Sequence, residues 1–92
     1  MSVVILGGNE CMIRRYEELC ASYRCKGKVY IEMERGVQNI GSPDLLVLFT
    51  STMSHKMLRC ALSEIKDSNA VIARSHSSSM SALRSILEEH AS

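Results

Sequence analysis

Two of the three histidines stand beside runs of short hydroxylated residues, with Thr50-Ser51-Thr52-Met53-Ser54 before His55 and Ser77-Ser78-Ser79 after His76. Imidazole suits iron, zinc, copper and nickel, and its charge changes near neutral pH. No carboxylate or clustered thiolate accompanies the pair, so they make an incomplete zinc shell, because structural zinc takes four ligands. Haem iron needs only one or two axial protein ligands, the porphyrin supplying the rest. The pair therefore reads as a haem site, with His55 and His76 as axial ligands from one chain or from two symmetry-related chains. Met53, Met57 and Met80 flank them and suit packing against an apolar macrocycle, while Arg74, Lys56 and the Ser hydroxyls suit its propionates. A plainer reading stands beside this one: a histidine at a helix start is an ordinary surface residue, and Met57 and Met80 fall on inner helix faces. His90 lies outside the pattern.

The segment Arg74-Ser75-His76-Ser77-Ser78-Ser79 also suits an anion. Free N–H groups at a helix N-terminus attract negative charge, and Arg74 with Ser77, Ser78 and Ser79 adds donors for a phosphate or carboxylate. One Ser acting as a helix cap, with the others in water, accounts for the run equally simply. Gly7-Gly8-Asn9 resembles part of a dinucleotide loop but lacks the Gly-x-Gly-x-x-Gly spacing. Its glycines let the strand turn into the helix and let a backbone or ligand approach. Cys11 near a helix start resembles the nucleophile of phosphocarrier domains and small phosphatases. Those place Cys directly after the first strand, the phosphatase with Arg six residues on, where this chain has Glu17. No catalytic residue is assigned: beyond Glu10 the loops hold no carboxylate, and no nucleophile–base pair is evident, so the sequence speaks against an enzyme.

Strands and helices must bring these residues together. Val3-Val4-Ile5-Leu6 and Leu45-Leu46-Val47-Leu48-Phe49 are continuously apolar runs, as in strands buried on both faces. Asn9 is placed to cap a helix with Met12, Ile13, Tyr16, Leu19, Cys20 and Tyr23 on one face and Gly27 to end it. Val29, Ile31 and Met33 alternate with polar neighbours, as on an edge strand; Arg35 to Pro43 is a loop or a one-turn helix. A second helix carries Met57, Leu58, Ala61, Leu62 and Ile65 and ends at Asp67-Ser68-Asn69. Ala70 to Ala73 is a fourth strand, and the Ser run opens a last helix with Met80, Leu83, Ile86 and Leu87 inside. Alternating strands and helices predict one α/β domain over 1–92, small, three-layered and Rossmann-like or flavodoxin-like. Its four-stranded parallel sheet has the order 2-1-3-4. Such sheets bind ligands at the carboxyl ends of their strands, which here gathers Gly7, Gly8 and Asn9 with Ser51 to His55 and Arg74 to Ser79.

With 92 residues there is room for one core. Aromatics are only 4%, so Val, Ile, Leu and six Met must fill it, and a ligand or second chain is expected to complete part of the apolar surface. A net charge of +1 gives no pull toward nucleic acid or an anionic membrane, and neither is expected as a partner. The four cysteines form no Cys-x-x-Cys pair, no export signal is seen, and no apolar run approaches the roughly 20 residues that span a bilayer. The reading is a cytoplasmic protein with free thiols. Limited burial and an open sheet edge favour a homo-oligomer.

Val4-Ile5-Leu6-Gly7-Gly8-Asn9-Glu10, Gly41-Ser42-Pro43-Asp44-Leu45, Phe49-Thr50 with Ser54-His55-Lys56-Met57, and Arg74-Ser75-His76-Ser77-Ser78-Ser79 carry a family resemblance. From about Val3 to Glu89 the chain resembles the bacterial (Firmicutes) domain-of-unknown-function 2325 family. The resemblance implies a small cytoplasmic α/β protein and transfers no activity, so His55 and His76 are candidates by chemistry alone. Cys11 looks like a position where relatives differ. Three functions follow: haem binding for storage, sensing or electron transfer; a binding module for a phosphorylated or carboxylated small molecule; and a protein-assembly domain.

Overall fold

The structure is a computed structural model that describes residues 1–31, 43–66 and 69–91. Four strands, β1 (Ser2–Leu6), β2 (Lys26–Tyr30), β3 (Leu45–Phe49) and β4 (Val71–Ser75), pair in parallel in the order β2-β1-β3-β4. Three helices, α1 (Ile13–Ser22), α2 (His55–Glu64) and α3 (Met80–Ala91), follow β1, β3 and β4. This is the expected α/β topology.

The two central strands explain the layers. Successive side chains of a strand point to opposite faces. Val3, Ile5, Leu45, Val47 and Phe49 therefore meet Tyr16 and Cys20 of α1 and Leu83 and Leu87 of α3. Val4, Leu6, Leu46 and Leu48 meet Met57, Ala61 and Ile65 of α2 and its end. Among the described residues two helices cover one face and one covers the other.

Asn9 initiates α1 through a short 3-10 turn, Glu10–Met12, its Oδ1 accepting the Cys11 N–H at 3.0 Å. The helix does not run on to Gly27. It closes at Arg24, whose φ of 60° is left-handed, with Cys25 N–H donating to Cys20 O at 2.9 Å and Arg24 N–H to Ala21 O at 2.9 Å. That pattern caps a helix whatever residue occupies the turn, although glycine suits it best. Gly27 lies inside β2, opposite Val3, and serves packing: a Cβ there would meet Cys20 Cβ and Sγ at 2.8 Å. In consequence β2 begins at Lys26, earlier than the Val29-Ile31-Met33 alternation suggests. Met33 and most of the Arg35 to Pro43 segment lie outside the described residues, as do 67 and 68 of the expected end of α2.

Ser54 caps α2, its Oγ accepting the Met57 N–H at 3.1 Å. β4 runs two residues past the expected Ala73, because the ladder with β3 continues to Leu48↔Arg74 and Phe49↔Ser75. Arg74 and Ser75 are strand residues, and the loop starts at His76.

Candidate functional site

At the carboxyl edge of the sheet, the loops after β1, β3 and β4 are held together by hydrogen bonds from residues that the sequence marks for function. Gly7 and Gly8 have φ of 85° and 96°, a backbone that side chains rarely adopt. Gly7 N–H donates to Tyr30 O at 2.9 Å, and Gly8 N–H to Thr52 Oγ1 at 2.6 Å. The Thr52 hydroxyl donates in turn to Phe49 O at 3.0 Å, in the 3-10 turn Thr50–Thr52. A Cβ on Gly7 would come within 2.8 Å of Met53 Cγ, and one on Gly8 within 2.9 Å of the Tyr16 ring. The pair is glycine because the β1 loop lies directly against the turn after β3.

Tyr16 is the residue sequence reasoning missed. It is fully buried on α1 and tilted against Phe49 with ring centroids 5.5 Å apart. Its hydroxyl donates to Ser78 O at 2.6 Å and accepts the Asn9 N–H at 3.3 Å, linking the first loop to the last. The available signal is chemical: a tyrosine at an inner helix position needs a partner for its hydroxyl. Thr50 adds a second link, donating to Ser75 O at 3.4 Å.

The Ser run performs cap chemistry. Ser79 Oγ accepts the Ala82 N–H at 3.2 Å, Ser77 Oγ donates to Ser79 Oγ at 3.0 Å, and Ser75 Oγ donates to Ser77 O at 2.7 Å. Ser78 contributes its carbonyl to Tyr16. Of the residues assigned to a ligand, Met57 lies in the core beneath α2 at 2% exposure, and Gly7 and Gly8 are buried with their N–H groups committed inside the fold. Asn9, Arg74, His55 and His76 are exposed, and Met53 is half-buried against the α2 side of the core.

His55 is the first residue of α2, and His76 directly follows β4. Since Phe49 pairs with Ser75, the chain leaves β3 and β4 side by side; His76 lies in the loop after β4, while His55 is carried past the turn after β3 to the start of α2. Among the described residues no group of three or more His, Cys, Asp and Glu could hold a metal ion. Among the described residues, an open hollow of about 610 Å³ lies between Arg24, Cys25, Lys26 and Asp44 at the opposite end of the sheet, and another of about 360 Å³ beside Leu19 and Met80.

The pattern of a family described as uncharacterised proteins conserved in bacteria matches residues 2–90. The chain belongs to this domain-of-unknown-function 2325 family. No curated protein and no solved structure matches it. In this member of the family Cys11 is exposed, Cys60 half-buried, and Cys20 and Cys25 buried, all four as free thiols. Burial, and after it Cys25 and Glu17, push the Cys20 thiol up to about 11. No helix among the described residues is long and apolar enough to cross a membrane.

Proposed function

We propose that this bacterial protein binds haem in the cytoplasm, with His55 and His76 as axial ligands, for storage, sensing or electron transfer. One observation supports the reading above its competitors. One exposed imidazole opens the helix that follows β3 and the other directly follows β4, the strand paired with β3, while among the described residues no group of three or more His, Cys, Asp and Glu could hold an ion. A bare zinc ion needs such a shell, whereas haem iron needs one or two protein ligands. Arg74 and Lys56, both exposed, would hold propionates, and Met53 would meet the ring edge. The anion reading has less support, because the N–H groups of Gly7, Gly8 and Asn9 are already partnered.

Titration with haemin, followed by absorption, tests this. A stoichiometric Soret band of six-coordinate low-spin type is expected, with its shape altered in His55→Ala and in His76→Ala. A spectrum that stays that of free haemin at every protein concentration removes haem from consideration. Stabilisation by phosphorylated metabolites in a thermal-shift screen would then favour the anion.

A further inference from the structure

β4 is an open edge. Val71 N–H donates to Asp44 O at 3.0 Å, and the ladder runs from Leu45↔Val71 to Phe49↔Ser75. Main-chain groups alternate sides along a strand, so Val71, Ala73 and Ser75 face β3, while Ile72 and Arg74 turn their N–H and C=O outward. Beside those groups Val71 is 48% exposed and Ile72 41%, and Arg74 is exposed as well. Neither Val71, on the α1 and α3 face of the sheet, nor Ile72, on the α2 face, belongs to the core cluster of its face.

We propose that β4 is an assembly edge through which two copies of this chain pair antiparallel about a two-fold axis at Ala73, joining two four-stranded sheets into one of eight. A strand with free main-chain groups and apolar flanks is covered by another strand, and β4 itself complements it. Centred on Ala73, each Ile72 exchanges both main-chain hydrogen bonds with the partner's Arg74, and Val71 faces the partner's Ser75. The small Ala73 meets the partner's Ala73 at the close, non-hydrogen-bonded position. This register sets each Arg74 across from Ile72, where its aliphatic stem covers apolar surface, and keeps the two guanidiniums from facing each other. The other edge strand, β2, carries exposed Lys26 and Lys28, which discourages head-to-tail growth of the sheet and lets the assembly close as a dimer. The antiparallel arrangement sets the carboxyl edges of the two copies at opposite ends; Arg74 is shared with the haem reading, so the dimer is tested without haem.

Light scattering coupled to gel filtration, on the full chain without haem and over a wide concentration range, tests the proposal. The mass is expected to rise from that of the 10.2 kDa monomer to its double. Arg74→Pro removes one outward N–H and leaves the β3 ladder intact, since proline is tolerated on an edge that faces away from the sheet. Ile72→Lys places a charge on the same edge. Each is expected to weaken the dimer at least tenfold, with an unchanged circular dichroism spectrum, while Lys28→Val leaves it unaffected. In a Cys11→Ser background, Ala73→Cys is expected to give a disulfide-linked dimer under mild oxidation, and Ser85→Cys none. A chain that stays monomeric throughout overturns the proposal and leaves the edge to a strand of another protein. A dimer that ignores both Arg74→Pro and Ile72→Lys also overturns it, placing the interface elsewhere.

Discussion

The two edge strands of this sheet are finished in different ways. β2 is backed by α1: Gly27 lets the strand touch Cys20, Val29 packs on the same cluster, and Lys26 and Lys28 put charge on the rim. β4 has a comparable length and pairs with an equally apolar central strand, yet Val71 and Ile72 are nearly half exposed and only Ala73 is buried. An edge strand is held by what its helices press on it as well as by its ladder. On one flank the helix contact is tight, and on the other it is replaced by exposed apolar surface.

The largest effect should come from breaking the tight flank. Gly27→Val forces β2 and α1 apart at Cys20 and should cost roughly 3 kcal/mol, as overpacking in a filled core does; urea denaturation measures it. A variant of unchanged stability would mean that the contact gives way freely. The same flank should respond to alkali. Cys20 has a raised folded-state pKa of about 11, against its ordinary 9.0, so the unfolded chain releases this proton first as pH rises. Stability from this group is complete below about pH 9 and falls by about 2 kcal/mol as pH climbs through 11. Unfolding curves of the parent and of Cys20→Ala across that interval should diverge in slope; parallel curves would show that the thiol is not shielded.

Between the flanks stands Tyr16, which joins the helix beside β2 to the segment after β4. Tyr16→Phe keeps the ring against Phe49 and removes the bond to Ser78, for a loss of about 1 kcal/mol. Faster amide exchange at Asn9 should accompany it; protection equal to the parent would show that another group holds the loop. The loose flank should be nearly indifferent. Val71→Thr is expected to change monomer stability by no more than about 0.5 kcal/mol, measured in dilute protein, since the residue is nearly half exposed and belongs to neither core cluster. A loss as large as that of Gly27→Val would erase the contrast between the two edges.

The central strands were legible because their runs of four and five apolar residues are short, rich in branched side chains and closed by Gly7 and by Thr50, respectively. The sheet order followed from their burial and the cap at Asn9 from its amide side chain, while the hydroxyl runs marked the starts of α2 and α3 without singling out Ser54 or Ser79. The end of α1 was not legible, because Arg24 gives no residue-type signal for a left-handed turn, whereas Gly27 gives a false one. The length of β4 is set by its partner: Arg74 and Ser75 look like loop residues until Leu48 and Phe49 are seen across from them. At the candidate site the order of the loops could be read from topology. The commitment of Gly8 to Thr52, and of Asn9 and Ser78 to Tyr16, could not, since these contacts join segments far apart in sequence.

The all-parallel ladder also governs how the chain must fold. Ser2 pairs with Lys26, Val3 with Leu45 and Leu45 with Val71, so every rung joins residues at least 24 positions apart. No two neighbouring strands can zip from a tight turn, and each pairing has to wait for a long segment to close. Helices α1, α2 and α3 can flicker into existence within microseconds, but they have no sheet to lie on until β1 and β3 meet. Acquisition of structure should therefore be a slow, late and nearly simultaneous event, and before it the apolar runs of β1 and β3 are open to any other chain in the same condition.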